Sequence, residues 1–199
     1  MSLPPRQPYQ LPEAMKQGDK ILLHVCCAPC SCEIIDGLLQ TGLDLTVYFY
    51  NPNIHPQKEY DIRKAEVVRF CADRSVPFID ADYDTDNWFA RVKGYEDEPE
   101  RGARCTLCFE MRLERTALYA HEHGIPFIGT SLSISRHKDQ EQVHAAGHRA
   151  AFSYDDVAFW DYNWRQRGGA DRGAAMAKEH GFYRQNYCGC AFSRRDREQ

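Results

Sequence analysis

The sequence predicts an α/β fold in which helices cover both faces of a parallel sheet and a loop-rich C-terminal cap follows. Three observations support this prediction. The chain has 199 residues, a length typical of one domain. Short apolar runs alternate with helical patterns between residues 20 and 130, the order that a parallel sheet with crossover helices requires. Residues 150–199 have only weak periodicity and are rich in Tyr, Trp, Gly and Arg.

The predicted elements follow one another along a single catalytic domain over residues 19–199. Before it, residues 1–18 hold four of the ten prolines and predict a flexible, extended arm. The strands share short apolar composition and are predicted over residues 20–25, 45–50, 76–79 and 125–130. The helices share apolar residues at helical spacing and are predicted over residues 33–40, 57–74 and 104–123.

Composition excludes several classes of protein. Apolar residues make up 43% and charged residues 27%, so the chain is not disordered. The net charge of −4 argues against a protein that coats duplex nucleic acid. No apolar run approaches the ~20 residues of a membrane span, and the polar N-terminus lacks the apolar segment of a signal peptide. We therefore expect a cytoplasmic protein without a membrane partner.

Nine cysteines, an odd number without an export signal, argue against a disulfide framework and favour metal or redox chemistry. Four of them lie within residues 26–32, in a loop expected after the first strand. Cys105 and Cys108 form a C-x-x-C pair on one face of a predicted helix. The two groups could converge on a four-thiolate site, which suits zinc and an iron–sulfur cluster equally well.

Cys188 and Cys190 form a C-G-C motif near the end of the chain. A disulfide between them would close a small, strained ring of the labile, redox-active kind. The alternatives are a further pair of metal ligands or two unrelated thiols. The surrounding residues 161–199 carry a net charge of +3, and aromatic side chains are interleaved with arginines, a composition suited to unpaired bases and phosphate.

Five ordered segments resemble the epoxyqueuosine reductase QueH family. They are LLHVCCAPC at 22–30, YNPNIH at 50–55 followed by EYDIR at 59–63, RCTLCFEMRL at 104–113, GTSLSIS at 129–135 and YRQNYCGCAFS at 183–193. The resemblance implies a HUP-type, Rossmann-like fold. It also implies an oxidoreductase that performs the last step of tRNA queuosine biosynthesis. The reaction reduces the epoxide of epoxyqueuosine at the wobble position of tRNA and needs no cobalamin.

The resemblance also implies roles for individual residues. A 4Fe–4S cluster would be held by Cys26, Cys27, Cys105 and Cys108. Cys188 and Cys190 would be the redox-active pair, which an external electron donor reduces. Cys30 is a candidate further ligand, with an additional iron. Separately from the roles implied by the resemblance, the candidate contacts with tRNA are Asn51, His55, Arg63, Arg165 and Arg184.

Two other functions compete with this one: a non-enzymatic zinc or cluster module that binds RNA, and a thiol–disulfide oxidoreductase. A structural zinc module has no need for the C-G-C pair, and a thiol oxidoreductase has no need for a separate cysteine cluster. A tRNA reductase accounts for both groups of cysteines.

Overall fold

The computed structural model describes residues 5–198 and has a five-stranded, all-parallel sheet in the order β3-β2-β1-β4-β5. The predicted α/β class is therefore confirmed. The strands are β1 Lys20–His24, β2 Asp44–Phe49, β3 Phe78–Asp80, β4 Phe127–Thr130 and β5 Ala158–Phe159. Four of them match the predicted apolar runs. The fifth, β5, has two residues, too few to give a pattern in the sequence.

Seven α-helices of the described chain pack on the two faces of this sheet. They are α1 Ala28–Thr41, α2 Gln57–Ala72, α3 Thr85–Arg91, α4 Ala103–Glu122, α5 Gln140–Ala151, α6 Gly169–Glu179 and α7 Ala191–Glu198. Because strand side chains alternate, Ile21 and Leu23 pack with α1, α2 and α6, whereas Leu22 packs with α3, α4 and α5. Within residues 5–198, no helix is both long and apolar enough to cross a membrane.

Helix α1 begins five residues before the predicted start, so Cys30 and Cys32 lie on a helix rather than in a loop. Cys27 is its N-cap, and Pro29 lies in the first turn. Proline is tolerated there because the amides of the first turn have no intrahelical partner. The helix ends at Gly42, whose positive φ of 81° lets its amide bond back to the carbonyls of Leu38 and Leu39.

The C-terminal segment is more helical than expected, because α6 and α7 lie within the residues predicted to be loop-rich. Helix α6 packs closely on α1, where a Cβ at Gly173 would lie 3.6 Å from the Cβ of Glu33. Its buried positions are mostly small residues such as Gly173 and Ala177, which give little apolar signal in a sequence.

The N-terminal arm, predicted to be flexible, packs on the domain over its described part, residues 5–18. The ring of Tyr9 is buried against Trp160, Tyr162 and Trp164, with ring centroids 5.0–6.4 Å apart. Proline content alone predicted an extended chain, and the aromatic surface that receives it forms only in the folded protein. Residues 1–4 of the predicted arm lie outside the described residues.

Candidate active site

The site lies at the carboxyl ends of β1 and β4, the neighbouring strands at which the order of the sheet reverses. Open parallel sheets bind ligands at such a position. Cys26 and Cys27 follow β1 after one intervening residue, Val25, and Ser131 directly follows β4. The Sγ of Cys26 lies 4.0 Å from the Oγ of Ser131, so the two strand ends meet at the first cysteine.

The sulfur atoms of Cys26, Cys27 and Cys30, here called the first thiol group, all lie within 4.8 Å of one another. Cys26 and Cys27 are buried and Cys30 is half-buried at the first turn of α1. Hydrogen bonds with the Cys27 and Cys30 thiols hold the pKa of Cys26 well below its ordinary value, while the pKa of Cys27 rises to about 12. A metal ion bound to these sulfur atoms would displace their protons.

A second thiol group consists of Cys105 and Cys108 on the first two turns of α4, together with Cys188. Burial, and then the nearby Cys188, raises the pKa of Cys105 to about 11. Cys188 likewise contributes to the raised pKa of Cys108, after burial. Cys105 and Cys188 also line the same cavity, so the C-x-x-C and C-G-C motifs are neighbours. Cys105 and Cys108 do not belong to the set of three sulfur atoms within 4.8 Å.

The C-G-C turn is built against α2. Arg63 donates from Nη1 to the Cys188 carbonyl at 3.0 Å, and the same guanidinium pairs with Glu59. The amide of His55 donates to the Gly189 carbonyl at 2.7 Å. Cys188 is half-buried and lines the cavity, whereas Cys190 is buried behind it. Such contacts fix the turn and leave one of its two thiols facing the cavity.

The thiols border a cavity of about 650 Å³ that carries an excess of positive charge. Five Arg or Lys side chains and two carboxylates line it: Arg63, Arg101, Arg136, Lys138 and Arg184, with Glu100 and Asp171. This excess suits an anionic substrate. The whole-chain net charge of −4 conceals it, because the basic residues come from four separate segments.

Lys138 joins the two thiol groups electrostatically. Burial lowers the pKa of its ammonium, but Cys188, Cys26 and Cys30 outweigh this effect and raise the pKa overall. Lys138 lies between β4 and α5, in a segment without regular secondary structure. Gln185 is a contact that sequence reasoning missed, and its Nε2 donates to the Sγ of Cys27 at 3.2 Å. No motif signal distinguished it within residues 183–193.

Of the five predicted tRNA contacts, Arg63 and Arg184 line the cavity. Asn51 is fully buried, where Nδ2 donates to the Val25 carbonyl at 2.8 Å and Oδ1 accepts from Arg112. His55 packs its ring against Trp88 and Phe89. Arg165 donates to backbone carbonyls of residues 134, 135 and 138. The side chains of Asn51, His55 and Arg165 thus make contacts within the protein that support the structure around the site.

Cys32 and Cys71 lie away from the cavity. Cys32 faces α6, with its Sγ 3.8 Å from the Gly173 carbonyl, and burial raises its pKa to about 12. Cys71 packs in the core with α2. These two cysteines serve as packing residues.

The donor set around the cavity fits a soft metal centre. Its potential ligands are thiols, which select zinc, copper(I) and iron–sulfur clusters. The hydrogen bond from the Gln185 amide to the Cys27 sulfur is of the kind that orients a metal-ligating side chain. Three chain segments, around residues 26–30, 105–108 and 188–190, supply these sulfur atoms.

Comparisons with known proteins agree with this arrangement. The epoxyqueuosine reductase QueH from Histophilus somni is 58% identical over 178 residues, which cover 89% of this chain and 73% of that protein. The protein of the same name from Acinetobacter baylyi is 56% identical and covers 96% of this chain and 87% of its own length.

A solved structure of similar fold is the U34-tRNA thiolase NcsA from Methanococcus maripaludis, described with its 4Fe–4S cluster. It has a TM-score of 0.58 and 12% identity, and the match covers 90% of this chain and 64% of that chain. This likeness concerns the fold.

The sequence model of the family described as epoxyqueuosine reductase QueH matches residues 21–196, which include all of the cysteine segments above. Together with relatives more than half identical over most of their length, the match identifies the chain. The chain therefore belongs to the epoxyqueuosine reductase QueH family, whose members are oxidoreductases.

Proposed function

We propose that this protein reduces the epoxide of epoxyqueuosine to the alkene of queuosine at the wobble position of tRNA, in the cytoplasm and without cobalamin. The observation that carries the proposal is that the first thiol group and the second, which includes Cys188 of the C-G-C turn, border one positively charged cavity. Membership of the family supplies the chemical class, and the cavity supplies a place where a negatively charged RNA meets reducing thiols.

The two thiols of the C-G-C motif balance the reaction. Loss of the epoxide oxygen as water requires two electrons and two protons. Oxidation of Cys188 and Cys190 to a disulfide releases two electrons and two protons, so one epoxide and two thiols give one alkene, one water and one disulfide. An external two-electron donor then reduces the disulfide for the next turnover.

We assign a 4Fe–4S cluster to Cys26, Cys27, Cys105 and Cys108, with Cys30 as a further ligand toward an additional iron. The low pKa of Cys26 supports this assignment because thiolates are the ligating form. When bound, the cluster would supply single electrons, and the additional iron near Cys30 would supply a Lewis acid for the epoxide oxygen.

The chain's own residues prepare the site for this chemistry. Arg63 fixes the carbonyl of Cys188 and thereby the position of its thiol. The Lys138 ammonium stabilises negative charge as it develops on the neighbouring sulfur atoms. Arg184 lines the cavity with an exposed guanidinium that is available to the RNA.

The test is turnover of tRNA that carries epoxyqueuosine by anaerobically prepared protein, with iron, sulfide and zinc measured on the same sample. We expect about four iron and four sulfide per chain for one cluster. Cys188→Ser should abolish turnover with the metal retained, whereas Cys71→Ala, which alters a core cysteine, should leave both unchanged.

The competing functions give different results in this experiment. Stoichiometric zinc without sulfide and without turnover would favour the RNA-binding zinc module. Disulfide exchange with generic substrates that persists after metal removal, without epoxide reduction, would favour the thiol–disulfide oxidoreductase.

A further inference from the structure

One surface of the cavity is unusually well fixed: the cationic loop, defined as residues 134–138. Arg165 donates to the carbonyls of Ile134, Ser135 and Lys138, the first at 3.3 Å and the last at 3.1 Å. Arg101 donates to the carbonyls of Arg136 and His137 at 3.0 and 3.2 Å. Five consecutive backbone carbonyls therefore each accept a hydrogen bond from one of two guanidinium groups.

Arg101 itself is held in a strained position. Its φ is 71°, in the left-handed region that residues other than glycine rarely adopt. Its amide donates to the Sγ of Cys105 at 3.3 Å, and its carbonyl accepts from Gln142 at 3.1 Å. Backbone strain of this kind persists where the surroundings fix it and is concentrated at functional sites. Arg101 thus connects the cationic loop directly to the start of α4 and its cysteines.

The cationic loop carries two positively charged side chains, Arg136 and Lys138, with different surroundings. The exposed side chain of Arg136 donates from Nε to Nε2 of His137 at 3.4 Å. Among residues 5–198, neither Arg136 nor the exposed Arg184 forms an ion pair with a carboxylate. Lys138, two residues after Arg136, lines the same cavity as Cys26, Cys30 and Cys188. A phosphate bound at Arg136 would therefore lie at a fixed distance from these thiols, because both side chains belong to the same ordered loop.

We propose that the cationic loop binds a phosphate of the RNA backbone beside the nucleotide being reduced. Arg136 of the loop and Arg184 contact the phosphate. Arg101 and Arg165 are positioning residues that hold the loop in place. This inference rests on the proposed function, because it takes the ligand to be an anticodon phosphodiester. Guanidinium groups match phosphate oxygens in geometry and charge. A loop fixed before binding loses little conformational entropy when the phosphate arrives.

The test measures binding of a fluorescent anticodon stem–loop RNA by anisotropy as a function of NaCl concentration. Each phosphate contact contributes about 0.7 to the slope of log Kd against log salt for single-stranded RNA. We expect Arg136→Gln and Arg184→Gln each to lower the slope by about 0.7 and to weaken binding about three- to tenfold near 0.1 M salt. Arg149→Gln is the matched control, since Arg149 lies on α5, is paired with Glu110 and does not line the cavity.

Arg165→Gln separates positioning from contact. It should weaken binding while the salt slope stays unchanged, because the phosphate contacts still form once the loop is ordered. Hydrogen exchange of the amides in residues 135–138 should be faster in this variant than in Arg149→Gln, in the absence of RNA.

The outcomes distinguish the two proposals. If the unaltered protein binds the RNA but Arg136→Gln and Arg184→Gln behave like Arg149→Gln, the cationic loop is not the phosphate site, and the proposed reductase function stands. If the unaltered protein does not bind the RNA at all, the proposed function itself fails.

Discussion

At the scale of single residues, Gly189 shows how closely the C-G-C turn is fitted to its surroundings. Its φ of 116° lies in a region of backbone conformation that is strained for every residue except glycine. A Cβ at this position would also lie 2.9 Å from Nη1 of Arg63 and 3.1 Å from Cγ1 of Ile54. The same guanidinium holds the Cys188 carbonyl. Gly189 is thus required both for the backbone conformation and for the close approach of Arg63.

We predict that Gly189→Ala lowers the free energy of unfolding by about 2–4 kcal/mol, from backbone strain together with overpacking against Arg63. Gly124→Ala is the control, because Gly124 has a φ of 62° and open space around its Cβ, so that only about 1 kcal/mol of strain is added. Urea unfolding of both variants measures the difference. An equal loss of stability in the two would show that Arg63 does not crowd the turn.

Variants of Cys30 and Cys32 can show which thiols bind metal. Cys30 lies within 4.8 Å of two other sulfur atoms, whereas Cys32 faces the backbone of α6. Cys30→Ala should reduce the iron bound after anaerobic reconstitution, and Cys32→Ala should retain it, since only the first removes a sulfur atom from the group. Iron and sulfide analysis measures this. Full iron content in Cys30→Ala would exclude Cys30 as a ligand.

At the scale of elements, the N-terminal arm acts as part of the core that supports α1 and α6. The Tyr9 ring lies directly on α1, where a Cβ at Gly37 would approach it to 2.4 Å. Arg6 on the arm and Arg172 on α6 both pair with the buried Glu33 of α1. Since α1 carries Cys30 and α6 lines the cavity, the arm stabilises two walls of the site.

Tyr9→Ala should therefore lower the free energy of unfolding by about 3–5 kcal/mol, the usual loss for a large aromatic core residue. Tyr9→Phe is the control, because it removes only the hydroxyl that donates to the Glu33 carbonyl at 3.3 Å, a loss of about 1 kcal/mol or less. Chemical denaturation measures both. A loss in Tyr9→Ala no greater than in Tyr9→Phe would mean that the arm contributes little to the core.

At the scale of the whole molecule, the site joins segments that are far apart in the chain. Residues 26–30 follow β1, residues 105–108 begin α4, and residues 188–190 precede α7. A metal centre bound by more than one of these segments would stabilise the native state and not the unfolded chain, because the unfolded chain does not hold the ligands together.

We predict that anaerobically prepared protein unfolds at a temperature about 5–10 °C higher than the same protein after chelation of its metal, which corresponds to a few kcal/mol for a chain of this size. Thermal unfolding followed by circular dichroism under anaerobic conditions measures this. In Cys26→Ser, chelation should change the melting temperature much less. Equal melting temperatures with and without metal in the unaltered protein would contradict the prediction.

The class of fold and the segments that carry cysteines at the site could be predicted from the sequence alone. Apolar runs such as residues 20–25 and 125–130 predicted buried parallel strands. Such a prediction is possible because the burial pattern of a strand or helix depends on the order of apolar and polar residues within that segment. The order of strands and helices predicted a parallel sheet, and in such a sheet the segments after β1 and β4 lie at one edge. The assignment of the four cluster ligands and of the redox pair stays a prediction.

Contacts between side chains of distant segments could not be predicted from the sequence and are seen only in the folded molecule. The early start of α1 brought Cys30 to Cys26 and Cys27 and turned Cys32 away toward α6. The guanidinium of Arg165, expected at the RNA, instead fixes the backbone of the cationic loop. Distances between groups remote in sequence depend on strand register and helix packing. These arise from the sum of many contacts across the molecule, and no local pattern in the chain contains them.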